Sequence, residues 1–285
     1  MTYTDGKIVK MVLTKEKAEN KNPTGNLREN AIRQSDNISL SPFNYCFLIY
    51  YYLLKEIKKN AHYAKGILLD VGCGSSPFEK HFISHIDKYL KHEHPAVAKS
   101  NIQYDYLSEL PSISAPDKSI DTIISFSVLE HVLEPFETIK EFHRILKDNG
   151  IFIISVPQYW HLHEEPHDYL RFTKHVLKEK ITKSGFEIVY LKEEGKSFAL
   201  VGQAFCNALI LLFDLEHVKN IFSFLSGKKS ENIGKSIMYA IYKSPLILLS
   251  IILIPIINII FLLLDQIIGS PRDTIGYFVI AKKTG

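Results

Sequence analysis

Short apolar runs alternate with amphipathic stretches through the middle of the chain, and the alternation stops after Leu191. Strand-like runs lie near residues 66–69, 88–91, 101–104, 120–126, 151–156 and 186–191, and a last one spans 275–282. Between them the apolar positions fall at helical spacing, most clearly over 135–147, where Phe136, Ile139, Phe142 and Leu146 share a face before an Asn149-Gly150 stop. Thr173 and Gly185 bracket another helix in the same way, and residues 42–58 read as an aromatic and aliphatic helix packed on the edge of the α/β unit. Strand and helix in strict alternation predict an α/β fold, a parallel sheet with helices on both faces.

Beyond Leu191 the pattern is different. Residues 197–213 and 246–264 are hydrophobic runs, the first softened by Gln203 and Asn207, the second interrupted by Pro255 and Asn258. The second holds no charge and would be roughly 29 Å long as a helix, just enough to cross a bilayer. The organisation expected is a polar arm over 1–40, a catalytic domain built from 41–192 together with 273–285, and a hydrophobic helical insertion over 193–272.

Composition narrows the partners. A net charge of +3 spread over 285 residues lacks the dense basic stripe that nucleic acid requires, so no nucleic-acid partner is expected. Cys46, Cys73 and Cys206 are odd in number and far apart, which suggests neither a disulfide framework nor a zinc cluster and fits a reducing, cytoplasm-facing location. Residues 1–37 are polar and charged, without the apolar core of a secretory signal.

Candidate chemistry begins where the first strand ends in Asp70-Val71-Gly72-Cys73-Gly74. A strand that turns through Gly-x-Gly into a helix brings main chain close to a ligand, because glycine carries no Cβ. A nicotinamide-binding fingerprint would need a third glycine where Pro77 stands, which weakens the oxidoreductase reading. Glu93, past the second strand, is placed to accept both hydroxyls of a ribose, and Asp105, beside Tyr106 after the third, to accept from an adenine amino group. A solvated loop carboxylate is the plain alternative for each.

With these motifs in place the chain resembles the class I S-adenosylmethionine-dependent methyltransferases. "LLDVGCGSSPF" looks like their glycine motif, "IDTIISFSVLEHVLEP" like their fourth strand and its loop, and "EFHRILKDNGIFIISVP" like the next helix and the fifth strand. The resemblance covers about residues 66–191 and the terminal strand, and departs from the usual pattern at the polar second strand, "KYLKHEHP". It implies a Rossmann-like sheet of order 3-2-1-4-5-7-6 and S-adenosylmethionine as cofactor. Asp70, Gly72 and Gly74 would surround its methionine half, Glu93 its ribose and Asp105 its adenine. Ser127 would lie near the sulfonium, and Cys73, His94 and Tyr106 complete the cofactor-binding set.

Methyl transfer to oxygen calls for alignment and often for a base, for which histidine is suited near neutral pH. His131, after Glu130 in the loop beyond the fourth strand, faces the expected methyl group; its alternative is a histidine packed at the start of the next helix. "HLHEEPHDYLRF" comes directly after the fifth strand and holds the other candidates: His163 and His167 as bases, with Glu130, Glu165, Tyr169 and Arg171 toward the substrate. The alternatives there are a hydrogen-bonded lid loop or a metal site; the ligand spacing is not diagnostic, and no metal is assigned. "HEEPHDYLRFT" also resembles a run in bacterial methyltransferases of surface-polysaccharide and lipid pathways.

The last strand must rejoin the sheet on the side of the membrane it left, which excludes an odd number of crossings. Lys219, Lys228, Lys229, Lys235 and Lys243 favour a hairpin dipping into or lying along the cytoplasmic leaflet of the inner membrane, with lysines on anionic headgroups. Packing of these helices on each other, on residues 42–54 or across a homodimer is the alternative without lipid. The function expected is O-methylation of a glycan or lipid-linked intermediate; a membrane-associated protein that binds the cofactor without catalysis is the second reading, and a nicotinamide oxidoreductase the third.

Overall fold

The computed structural model describes residues 38–211 and 233–285. Seven strands form one sheet: β1 (Ile67–Val71), β2 (Lys88–Glu93), β3 (Tyr106–Leu107), β4 (Ile120–Phe126), β5 (Leu146–Pro157), β6 (Phe186–Glu194) and β7 (Gly276–Lys283). Their order is β3-β2-β1-β4-β5-β7-β6, parallel except for β7, which runs antiparallel between β5 and β6. The order is the one implied by the resemblance.

The central strands are apolar on both sides because helices cover both faces. Leu69, Val71, Ile123, Phe152 and Ile154 pack under α3 (Pro135–Ile145) and α4 (Lys174–Lys183). Their strand neighbours Leu68, Ile124 and Ile153 point the other way, against α1 (Phe47–Asn60) and Phe82 of the short α2 (Glu79–Phe82). Period-two alternation thus fills two cores from one sheet. Thr173 caps α4, its hydroxyl accepting from the Val176 amide.

Two expected elements move. The third strand is Tyr106–Leu107 and not 101–104, because only Tyr106 and Leu107 pair with His92 and Glu93 of β2. The Asn149-Gly150 stop lies inside β5: α3 ends at Ile145, and Asn149, at φ 61°, sits where the β4–β5 register shifts.

Beyond β6 come α5 (Ser197–Leu211) and the 36-residue α6 (Ile233–Ile268). They pack on each other and on α1: Phe261 lies against Gly202, where a Cβ would meet it at 2.5 Å. Buried Asp265 accepts from the Tyr52 hydroxyl at 2.6 Å and from the Ala199 amide at 2.8 Å. Asn258 donates to the carbonyls of Pro42 and Asn44, and Gln203 to that of Tyr45. Residues Ile241–Ile268 form the helix that, among the described residues, is long and apolar enough to cross a membrane. Ile241, Leu248, Leu249, Ile251 and Ile252 are exposed along it. Lys219, Lys228 and Lys229 lie outside the described residues.

Candidate active site

A cavity of about 650 Å³ opens at the carboxyl ends of β1, β2, β4 and β5, within the range of small-molecule sites. It runs from Gly72, Gly74, His92, Glu93 and His94 past Ser127 to Glu130, His131, His163, His167 and Tyr169. All of these except His92 were singled out on the sequence, so the fold gathers most of the expected site around one space.

The glycine turn is tight for a reason the sequence did not show. Gly72 adopts φ 71°, and a Cβ there would stand 2.5 Å from Val128 Cγ2, so the close neighbour is the loop after β4 as well as any ligand. The turn's amides are also committed. Gly72 and Cys73 N–H both donate to the His92 carbonyl, at 3.0 and 3.1 Å, and Gly74 N–H donates to Glu93 Oε2 at 2.8 Å. A pyrophosphate binds through free main-chain N–H groups. A turn whose donors are spent suits the α-ammonium of a methionine moiety better, and this separates the two cofactor classes more firmly than Pro77 does.

Glu93 is braced from both sides: Oε2 accepts from Gly74 and Oε1 from the His94 amide, each at 2.8 Å. A carboxylate oxygen accepts more than one hydrogen bond, so each keeps capacity for a ribose hydroxyl. Burial raises its pKa above the ordinary value, and the two amides work against that rise. The residues thus fit S-adenosylmethionine: Glu93 lines the cavity and keeps acceptor capacity for its ribose hydroxyls.

Other expected contacts fall elsewhere. Asp70 is buried behind the turn and accepts from the Tyr89 hydroxyl at 2.5 Å; burial pushes its pKa up to about 7. Cys73 points into the protein, its thiol 3.7 Å from the Gly74 carbonyl. Asp105 is outside the cavity: its carboxylate accepts from the Lys91 amide at 2.9 Å, bracing β2, and Tyr106 lies in the sheet edge beside it. Glu109, Leu110 and Pro111 line that end instead. Glu165 is exposed beyond the rim. Arg171 is spent within its own loop, both terminal nitrogens on Asp168 at 2.6 and 2.8 Å and further bonds to the carbonyls of Trp160, His161 and Leu170.

That network positions the histidines. His131 Nδ1 lies 2.9 Å from the His167 carbonyl, which can only accept, so Nδ1 carries a proton. His163 Nδ1 is 3.1 Å from Asp168 Oδ2 and 3.2 Å from the His161 carbonyl, which places a proton on Nδ1 here too. Burial, with His131 beside it, holds the His163 pKa down to about 4, so this ring is neutral at neutral pH. Glu130 is 1 % exposed, its Oε2 has no hydrogen-bond partner, and burial pushes its pKa up to about 7. Tyr169 and Leu170 amides donate to the Glu130 carbonyl, tying the lid to this turn.

Glu194, at the tip of β6, is a site residue that sequence reasoning missed. It lines the same cavity, accepts from the Ser155 hydroxyl at 2.7 Å, and is pushed up to about 8 by burial. Its acid-Gly195 turn is the one signal that could have marked it.

A fold of this order, with a glycine turn, a buried carboxylate at the tip of the second strand and a polar cluster past the fourth, is that of the class I methyltransferases. Residues 47–222, more than half the chain, match the family model described as "Methyltransferase domain", and the chain belongs to that family. S-adenosylmethionine is its cofactor. Among curated relatives, the chain is 26% identical over 170 residues to the ubiquinone biosynthesis O-methyltransferase of Rickettsia akari, covering 50% of this chain and 67% of that one. It is 31% identical over 68 residues to a protein of Mycolicibacterium smegmatis named "Probable S-adenosylmethionine-dependent methyltransferase", covering 24% of this chain and a quarter of that protein's length. Among solved structures, it superposes on a SAM-dependent methyltransferase from Archaeoglobus fulgidus with a TM-score of 0.46 and 16% identity, covering 83% and 94% of the two chains.

Proposed function

We propose that the chain methylates an oxygen of a glycan or lipid-linked acceptor at the cytoplasmic face of the inner membrane. The observation that carries this reading is the continuity of the cavity. It leads from the glycine turn and Glu93, past the Glu130, His131 and His163 cluster, to an apolar wall of Ile38, Ile49, Tyr50 and Leu53. That wall belongs largely to α1, whose Tyr52 bonds Asp265 of α6. An acyl or isoprenoid chain would pass from a bilayer bearing the exposed face of α6 to a polar head held at the histidines. The match to an O-methyltransferase in ubiquinone synthesis is compatible with an acceptor that carries a long apolar tail.

Bound S-adenosylmethionine supplies a methyl group on a sulfonium, a reactive carbon that needs an aligned nucleophile. The chain's own part is to hold that nucleophile and manage one proton. The neutral His163 ring and the His131 ring beside it line the reacting end of the cavity, Tyr169 closes the rim, and the apolar wall excludes water. Holding the two reactants in line accounts for up to about 7–11 kcal/mol of barrier lowering.

The test is turnover of methyl-labelled S-adenosylmethionine with a membrane extract, with the products separated into lipid, polysaccharide and protein. Label in the lipid or glycan fraction, at an ether or ester oxygen, is expected. Tight S-adenosylhomocysteine binding with no label transferred would support instead a binding protein without catalysis, and label on nitrogen or protein would refute the acceptor class.

A further inference from the structure

We infer that Glu130, His131 and His163 form a binding site for a divalent cation of the zinc or manganese type, which holds the acceptor oxygen. The inference rests on the proposed O-methylation for the cation's role, but its existence can be tested separately.

One donor atom from each of the three residues lies within 4.8 Å of the other two, so small side-chain rotations would bring all three to the roughly 2.0–2.2 Å at which zinc holds nitrogen and oxygen. The carboxylate is the decisive member. Glu130 Oε2 is buried with no partner, although a buried carboxyl oxygen left unpaired is costly. A cation at the shared point would satisfy it.

The surroundings are those of metal-ligating histidines, whose second ring nitrogen donates to a carbonyl or carboxylate that fixes the ligating tautomer. His131 gives Nδ1–H to the His167 carbonyl and His163 gives its own to Asp168. Asp168 is in turn clamped by Arg171, so the groups that orient the ligands are themselves held. Two imidazoles and one carboxylate suit zinc, manganese or cobalt, whereas magnesium and calcium prefer oxygen throughout. Three protein ligands in a cavity wall leave positions for substrate.

With both histidines ligating, neither acts as a base, and the cation would instead polarise the acceptor hydroxyl and ease loss of its proton. The O–H bond breaks and its proton passes to solvent. The oxygen bonds the methyl carbon while the carbon–sulfur bond breaks, sulfur keeping the electron pair and losing its positive charge.

Cobalt(II) is the probe, because its visible ligand-field bands report the donor set. The full chain, freed of metal by chelation and without cofactor, should bind one cobalt per chain with an absorption spectrum of low coordination number. Glu130→Gln, His131→Asn and His163→Asn should each weaken binding by roughly 100-fold, and Asp168→Asn by about 10–100-fold. His175→Asn, at an exposed site, should leave it unchanged. A far-ultraviolet circular dichroism spectrum and thermal midpoint matching the parent show that each variant is folded. No cobalt bound, or binding weakened less than tenfold by all three ligand variants, overturns the site. If cobalt binds as expected while S-adenosylhomocysteine does not bind the parent chain, the methyltransferase reading fails and the metal site stands.

Discussion

Replacing Glu93 by Gln isolates the ribose contact. Each Glu93 oxygen already accepts one amide, from Gly74 and from His94, and has room for one hydroxyl. Glutamine keeps one oxygen and substitutes an NH2 group, which confronts a backbone N–H on one side and offers that hydroxyl no charged acceptor. A hydrogen bond to a charged group contributes about 1.5–3 kcal/mol, so losing one and weakening the other should cost about 2–4 kcal/mol. At 1.4 kcal/mol per tenfold, S-adenosylhomocysteine should bind roughly 30-fold to 700-fold more weakly. Calorimetric titration of parent and variant gives the number, and a cofactor analogue lacking both ribose hydroxyls separates direct contact from collapse of the turn. The parent should bind that analogue poorly, and the substitution should change its affinity little. If Glu93→Gln binds S-adenosylhomocysteine within threefold of the parent, or loses as much affinity for the analogue, Glu93 does not hold the ribose.

Three further outcomes are expected from the same geometry. Gly72→Ala forces a Cβ against Val128 and a side chain into positive φ; the protein should lose about 2–4 kcal/mol of stability by denaturant titration, with cofactor binding impaired, and an unchanged midpoint would contradict the packing. Glu194 is raised to about 8 from an ordinary 4.5, so the unfolded chain releases this proton first. Its contribution is fully present below pH 4.5, declines as pH rises and is gone above pH 8, and Glu194→Gln should flatten the stability profile across that window. Serine at Ile241, Leu248 and Ile252 together should reduce co-flotation with anionic vesicles, and undiminished flotation would remove α6 as the membrane-facing element.

The glycine turn, the parallel core and the histidine loop were legible because each is written in local chemistry: a strand of continuous apolar residues, a Gly-x-Gly bend, a run of polar residues after a strand. Asp105 misled because a two-residue strand has almost no pattern, and the backbone amide of Lys91 captures its carboxylate. Arg171 looked like a substrate ligand, whereas the lid needs its charge to neutralise Asp168 and its remaining donors to bind loop carbonyls. Glu194 was hidden by a register shift in β6 between Ile188 and Tyr190, which changes the face on which later residues fall. The grouping of Glu130 with His163 depends on Tyr169 and Leu170 amides reaching the Glu130 carbonyl, a long-range pairing that spacing along the chain does not reveal.

A crystal structure of the full chain with S-adenosylhomocysteine tests the central claim most directly. The ribose hydroxyls should lie on Glu93, the sulfur should face Ser127 and His131, and the adenine should lie beside Leu110 and Pro111. A nucleoside seated on the Asp105 side of β2, or outside the cavity altogether, would contradict the account.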